Sequence, residues 1–138
     1  MKNSLLIVLF ISFSIITSSE TKAQDLVLFS ESMPYYGTMM TVQFYLDKVS
    51  ATPACNENDD HFPLEQSVAI KKALNWAKDV FDPKKDWEVQ EISLKFVKGM
   101  GNNYCVYVVQ LKPFNEMQSL PVGVLMDGSL VPPVPKKQ

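Results

Sequence analysis

The chain contains no arginine; all 13 of its basic residues are lysines. Arginine is the residue that grips phosphate, carboxylate and guanine with two parallel hydrogen bonds. Its absence, together with a net charge of −2 and no basic stripe, argues against nucleic acid and against a dedicated anion clamp. There is one histidine, His61, so any Ser-His-Asp or Cys-His arrangement has to use it. No glycine-rich phosphate loop, nucleophile elbow or zinc-protease helix occurs. Beyond the N-terminus no apolar run is long enough to span a bilayer.

What is present begins with an address. Residues 1–23 combine Lys2, an apolar run from Leu5 to Ile16 and a small, polar stretch with Thr21 and Ala23 before Gln24. That is the pattern of a secretory signal peptide, with cleavage expected near Ala23 or, alternatively, after Ser19. No cysteine lies near the cut to carry a lipid anchor. The remainder reads as one domain over 24–131 with a proline-rich tail, 132–138, expected to be extended and mobile. A secreted or periplasmic location follows, with no membrane span in the mature chain.

Cys55 and Cys105 are the only cysteines, and in an oxidising compartment an isolated pair is most simply a disulfide. Closing a loop of about 50 residues would stabilise the fold by roughly 4 kcal/mol in the chain-entropy account. The competing reading is that Cys105, set in an apolar strand between Tyr104 and Val106, is a buried free thiol.

Periodicity divides the rest. Residues 24–37 suggest an edge strand or ordered arm that breaks at Pro34 and Gly37. Residues 38–49 fit both a strand and a helical stripe, and their β-branched and aromatic content favours a strand. From Pro63 to Phe81, apolar residues recur every three or four positions, which predicts a helix ended by Asp82-Pro83. Strands are expected over 87–97, 104–111 and 120–126, followed by an Asp127-Gly128 hairpin into a short strand. Trp87 and Val89 are out of phase with Ile92, Leu94 and Phe96, which a bulge near Gln90 or Glu91 would reconcile. Residues 104–111 are apolar on both faces and read as a central strand. The expected fold is α+β, with one main helix packed on an antiparallel sheet of three to five strands.

The densest polar segment is "ACNENDDHFPLEQ", residues 54–66. Asn56, Asn58 and Asp60 have the 1-3-5 spacing of a calcium loop. The sixth position is His61 where glycine is needed, and the twelfth is Ser67 where glutamate is needed. As a zinc site, Cys55 and His61 with Asp59 or Asp60 lack a further ligand. The segment therefore reads as a solvated loop before a helix. No catalytic residue, metal site or cofactor is assigned. Among the aromatics, Tyr35 and Tyr36 beside Gly37 are the best candidates for contact with a partner.

The order helix, strand, strand, strand over 63–131 resembles small exported modules of the PepSY and cystatin-like type. It rests on "AIKKALNWAKDVF", "WEVQEISLKF", "YCVYVVQL" and "PVGVLMDGSLV". The cystatin Gln-x-Val-x-Gly loop is absent, since Val122-Gly123 has neither its glutamine nor its spacing. The resemblance implies binding or inhibition, and no functional residue is carried over. The leading expectation is an exported, non-catalytic binding or inhibitor-like module acting on a protein or peptide. The alternatives are a structural envelope or surface component, and a small hydrolase or metal-dependent enzyme centred on Asp59, Asp60 and His61.

Overall fold

The break at Tyr36-Gly37 is the turn of a hairpin. In the computed structural model, which describes residues 26–137, β1 (Val27–Tyr35) runs antiparallel to β2 (Thr38–Tyr45). Tyr36 and Gly37 have φ of 48° and 82°, the pair of positive values that mirror-image hairpin turns require. Phe29, Glu31 and Met33 lie opposite Phe44, Val42 and Met40, so one face of the ribbon is apolar except at Glu31. Pro34, near the end of β1, is tolerated because β1 is an edge strand. After β2 the chain turns through a short helix, α1 (Leu46–Val49), so both readings of residues 38–49 are realised in succession.

The second sheet is built from β3 (Trp87–Lys98), β4 (Asn103–Pro113), β5 (Leu120–Leu125) and β6 (Leu130–Val131), in that spatial order. The register of β3 against β4 shifts between Val89 and Glu91. That bulge is where the sequence asks for one, and it brings Trp87, Val89, Ile92, Leu94 and Phe96 onto the same face. β4 occupies a central place, with Tyr104 through Val109 all buried. Pro121 lies in β5 where β6 does not reach, since β6 pairs only with Gly123 and Val124.

Two layers cover this sheet. Helix α2 (Gln66–Trp76), continued by a wider π-type turn over Ala77–Phe81, lies on the face that carries Cys105, Tyr107, Val109 and Val122. Ala69, Ala73 and Ala77 are fully buried, and their small side chains let the helix approach closely. On the opposite face, Val42, Phe44 and Val49 pack against Val97, Tyr104, Val106 and Val108. Gly123 makes that approach feasible: a Cβ there would lie 2.5 Å from Phe44 Cζ and 2.9 Å from Val42 Cγ1.

The architecture corrects the expectation of one helix on one sheet. Among the described residues seven strands form two antiparallel sheets, a three-stranded one ordered β1-β2-β7 and the four-stranded one. The order of α2 and β3–β5 is as the sequence suggests, but their second face is covered by another sheet. The reason lies in residues 27–45. Ser30, Glu31, Ser32 and Pro34 dilute the apolar alternation, so the sequence leaves an edge strand and an arm both open, and the pairing with β2 decides for the edge strand.

Two smaller differences follow. The helix begins at Gln66 with Glu65 as its N-cap, so Pro63 and Leu64 lie in the approach to it and the first helical turn holds no acid. The expected stop at Pro83 holds, with Asp82 in extended backbone. The proline tail, expected to be mobile, is tied down. Val134–Pro135 forms β7, which pairs with Met40 and Thr41, and the Lys136 amide donates to the Met39 carbonyl at 2.8 Å.

The expected bridge is present. Cys55 and Cys105 form a disulfide, with their Cα atoms 5.7 Å apart and both residues buried. Among the described residues no helix is long and apolar enough to cross a membrane. Residues 1–23, which the sequence leads one to expect as a signal peptide, lie outside the described residues.

Candidate functional site

Strand β3 runs from an aromatic end of the molecule to a polar one. Its first residue, Trp87, belongs to a cluster in which the rings of Tyr35, Tyr36, Trp76, Phe81 and Trp87 make successive contacts. Centroid separations run from 4.7 to 6.4 Å. These rings meet because the β1–β2 turn, the π-type turn after α2 and the start of β3 converge. Trp87 Nε1 donates to the Asp82 carbonyl at 3.0 Å, fixing the indole.

Tyr35 and Tyr36 have different fates. Tyr35 is half-buried between Phe81 and Trp87. Its hydroxyl is held above its ordinary pKa by burial first, then by the carboxylates of Glu116 and Asp82. Tyr36 is 53% exposed. Its hydroxyl donates to Glu116, and its amide donates to Gln118 Oε1 at 3.3 Å. The Lys85 ammonium sits 5.0 Å from the centre of the Tyr36 ring and 3.1 Å from Glu116 Oε1. Phe114 and Met117, on the same β4–β5 loop, are exposed, and the Phe114 amide donates to the Asp86 carbonyl at 2.7 Å. This end therefore displays Tyr36, Phe114 and Met117 on loops braced against one another.

The positive φ of Tyr36 sharpens the point. The left-handed region costs an ordinary L-residue roughly 1–2 kcal/mol, whereas asparagine and glycine enter it readily. An aromatic residue there runs against the local preference of the turn, which asparagine or glycine would satisfy at lower cost.

At the polar end, the Asn56–Asp60 loop is fastened to the start of β4. Besides the disulfide, the Cys55 amide donates to the Asn103 carbonyl at 2.9 Å, and Asn103 Nδ2 donates to Asn56 Oδ1 at 3.2 Å. Asp59 Oδ2 accepts from the Asn56 amide at 2.8 Å. A cleft of about 510 Å³ lies between this loop and Phe96, Val97 and Lys98.

The alternative trio does not converge on this cleft. Asp59 lines it, while Asp60 and His61 line a separate depression with Phe62, Leu64 and Tyr107. Asp59, Asp60 and His61 are all exposed. Among the described residues no group of three or more His, Cys, Asp or Glu side chains is placed to hold a metal ion. Tyr107, whose hydroxyl donates to the Leu64 carbonyl at 2.8 Å, anchors the approach to α2. Burial, then the Glu65 carboxylate, raises its pKa.

The sequence singles out Tyr35 and Tyr36 and offers Phe114 among the other aromatics that could line a ligand surface, but nothing in it points to their companions Lys85, Glu116 and Met117. Those residues sit 49 or more positions further along the chain, and only the two-sheet architecture brings them to the turn. No family model, curated protein or solved structure matches the chain.

Proposed function

We propose that this chain is an exported, non-catalytic binding module that engages a protein or peptide outside the cytoplasm through its aromatic end. The observation that carries the reading is Tyr36: an exposed aromatic ring kept at positive φ and fixed from both sides by Lys85 and Glu116. Rigid aromatic anchors flanked by mobile apolar side chains such as Met117 are the usual currency of interface hot spots. The disulfide supports an oxidising destination, secreted or periplasmic, as does the leader-like composition of residues 1–23.

The outer edge of β3 gives the same surface a second means of grip. β3 is the terminal strand of its sheet and starts at Trp87, so an extended peptide could pair with its backbone beside the aromatic cluster. The PepSY- and cystatin-like element order over α2 and β3–β5 is in keeping with a binding role.

Two exposed methionines at opposite ends make the test. Met117 is 92% exposed at the aromatic end and Met100 is 81% exposed in the β3–β4 turn at the polar end. A photo-crosslinking amino acid is placed at one or the other in protein spanning 24–138, which is then incubated with the exported proteins of the native host. The expected result is a discrete adduct from position 117 and none from position 100. An adduct from position 100 alone, or none from either, overturns the reading.

A further inference from the structure

The polar cleft has a composition that the binding reading above does not use. Its base is Phe96, 39% exposed, which Phe62 supports at a centroid distance of 6.1 Å. Asn56, Asn58 and Asp59 line one side; Lys98 and Asn103 line the other. Three of these residues are already tied to one another. Asn103 Nδ2 donates to Asn56 Oδ1, and Asp59 Oδ2 accepts from the Asn56 amide. Asn56 keeps both side-chain N–H donors, Asn103 keeps its side-chain oxygen, and Asp59 keeps its second oxygen. Among the described residues, no side-chain hydrogen bond or ion pair engages Asn58 or Lys98.

We infer that this cleft is a binding subsite for a neutral oligosaccharide, with one hexopyranose ring seated on Phe96. A pyranose has an apolar C–H face and a girdle of hydroxyls, each of which donates and accepts. An exposed aromatic ring meets the first requirement. The Asn56 donors, the Asn103 and Asp59 oxygens and the whole Asn58 amide, left open by those bonds, meet the second. The acids Glu57 and Asp59 stand with Lys98 around the same cleft, so no concentrated charge of either sign selects an ionic ligand. The volume, about 510 Å³, lies within the range of small-molecule sites. The disulfide and the Cys55–Asn103 backbone bond hold the loop in place before any ligand arrives, so little ordering entropy remains to oppose binding.

The test is a ¹H–¹⁵N titration of protein spanning 24–138 with maltotriose, cellotriose and tri-N-acetylchitotriose in turn, and with calcium chloride as a separate arm. The expected result is saturable shifts, with at least one sugar, confined to the amides of 56–59, 96–98 and 103. Phe96→Ala weakens that binding about tenfold, the factor that one aromatic contact supplies. Asn58→Ala, which removes an exposed loop side chain and leaves the core untouched, weakens it as well, so a folding defect at Phe96 cannot account for the result. Absence of shifts with all three sugars at the limit of solubility overturns the assignment. So do shifts elsewhere, shifts unchanged in both variants, or a response to calcium alone.

Discussion

The two ends of β3 solve the same problem, fixing a loop to the sheet, by opposite means. At the polar end a covalent bond does the work. Cys55–Cys105 and a few backbone contacts pin the loop, and the side chains of residues 56–60 then stand in solvent. At the aromatic end, roughly 36 Å away by strand rise, no covalent tie exists between the loops, and interlocked rings with a Tyr36–Glu116–Lys85 network hold them. A covalent tether frees side chains from structural duty, whereas a non-covalent brace uses them. A residue can therefore be both brace and contact surface at the aromatic end, and Tyr36 is placed to be both. The difference teaches that a dense run of polar residues in sequence does not mark the end where side chains carry the structural bracing.

The largest expected effect separates the ends outright. Replacing both Cys55 and Cys105 with alanine should lower unfolding free energy by about 4 kcal/mol, measured by urea denaturation. Hydrogen exchange in the variant should quicken first at residues 54–62 while residues 33–38 retain their relative protection. Equal loosening of both ends would show that the tether and the brace are one cooperative unit.

Next in size is the contact between the sheets, on which the aromatic end depends for its position. Gly123→Ala puts a methyl group against Phe44 and Val42, and overpacking of that kind costs about 1–3 kcal/mol. A matched control, Gly101→Ala, meets no neighbouring atom but sits at φ of 86°, so its cost of roughly 1 kcal/mol is one of backbone conformation alone. If Gly123→Ala proves the milder of the two, the sheets are not packed as closely as described.

These contacts also show what was legible beforehand. Helix α2, the three long strands of the second sheet, the Val89–Glu91 bulge and the disulfide are all readable, because each rests on local periodicity or on the scarcity of cysteine. The three-stranded sheet was not. Its outer strand, β1, alternates Phe29, Glu31 and Met33 with Leu28, Ser30 and Ser32, so neither face is plainly apolar. Its third strand is a two-residue segment, Val134–Pro135, whose prolines read as an extended tail. Gly123 is the residue that reports sheet-on-sheet packing, and in sequence it is one glycine inside an apolar run. At the candidate site Tyr35 and Tyr36 stand out in the sequence as adjacent aromatics beside Gly37, although only Tyr36 is exposed. Glu116 and Lys85 were not, since nothing local distinguishes them from other surface charges.

A smaller effect concerns the brace itself. Lys85→Ala removes a partly exposed ion pair and a cation–π contact, and should cost no more than about 1 kcal/mol, decreasing with added salt. Thermal denaturation at low and high salt checks this, and an effect unchanged by salt would point to packing of the lysine stem.

The smallest is a dependence on pH. Tyr35 at the aromatic end and Tyr107 beside the polar loop both keep their protons above the ordinary tyrosine range, chiefly through burial. The neutral hydroxyl is therefore favoured by folding. Stability is complete below the unfolded value of about 10 and is lost as pH rises from there through the folded values. Ultraviolet titration of phenolate should show late ionisation from Tyr35 and Tyr107, and Tyr107→Phe should remove part of that late phase.

The comparison turns finally on whether Tyr36 is more than a brace, and one variant measures this. Tyr36→Asn converts the turn to Asn-Gly, the preferred pair for a mirror-image hairpin, and so relieves the positive φ while removing the ring. The gain in the turn and the loss of contacts to Glu116 and Lys85 should nearly cancel, leaving unfolding free energy within about 1 kcal/mol of the parent. Partner capture through position 117 should be abolished in the same preparation. A variant destabilised by more than about 2 kcal/mol that still captures its partner would contradict the account, because Tyr36 would then be structural alone.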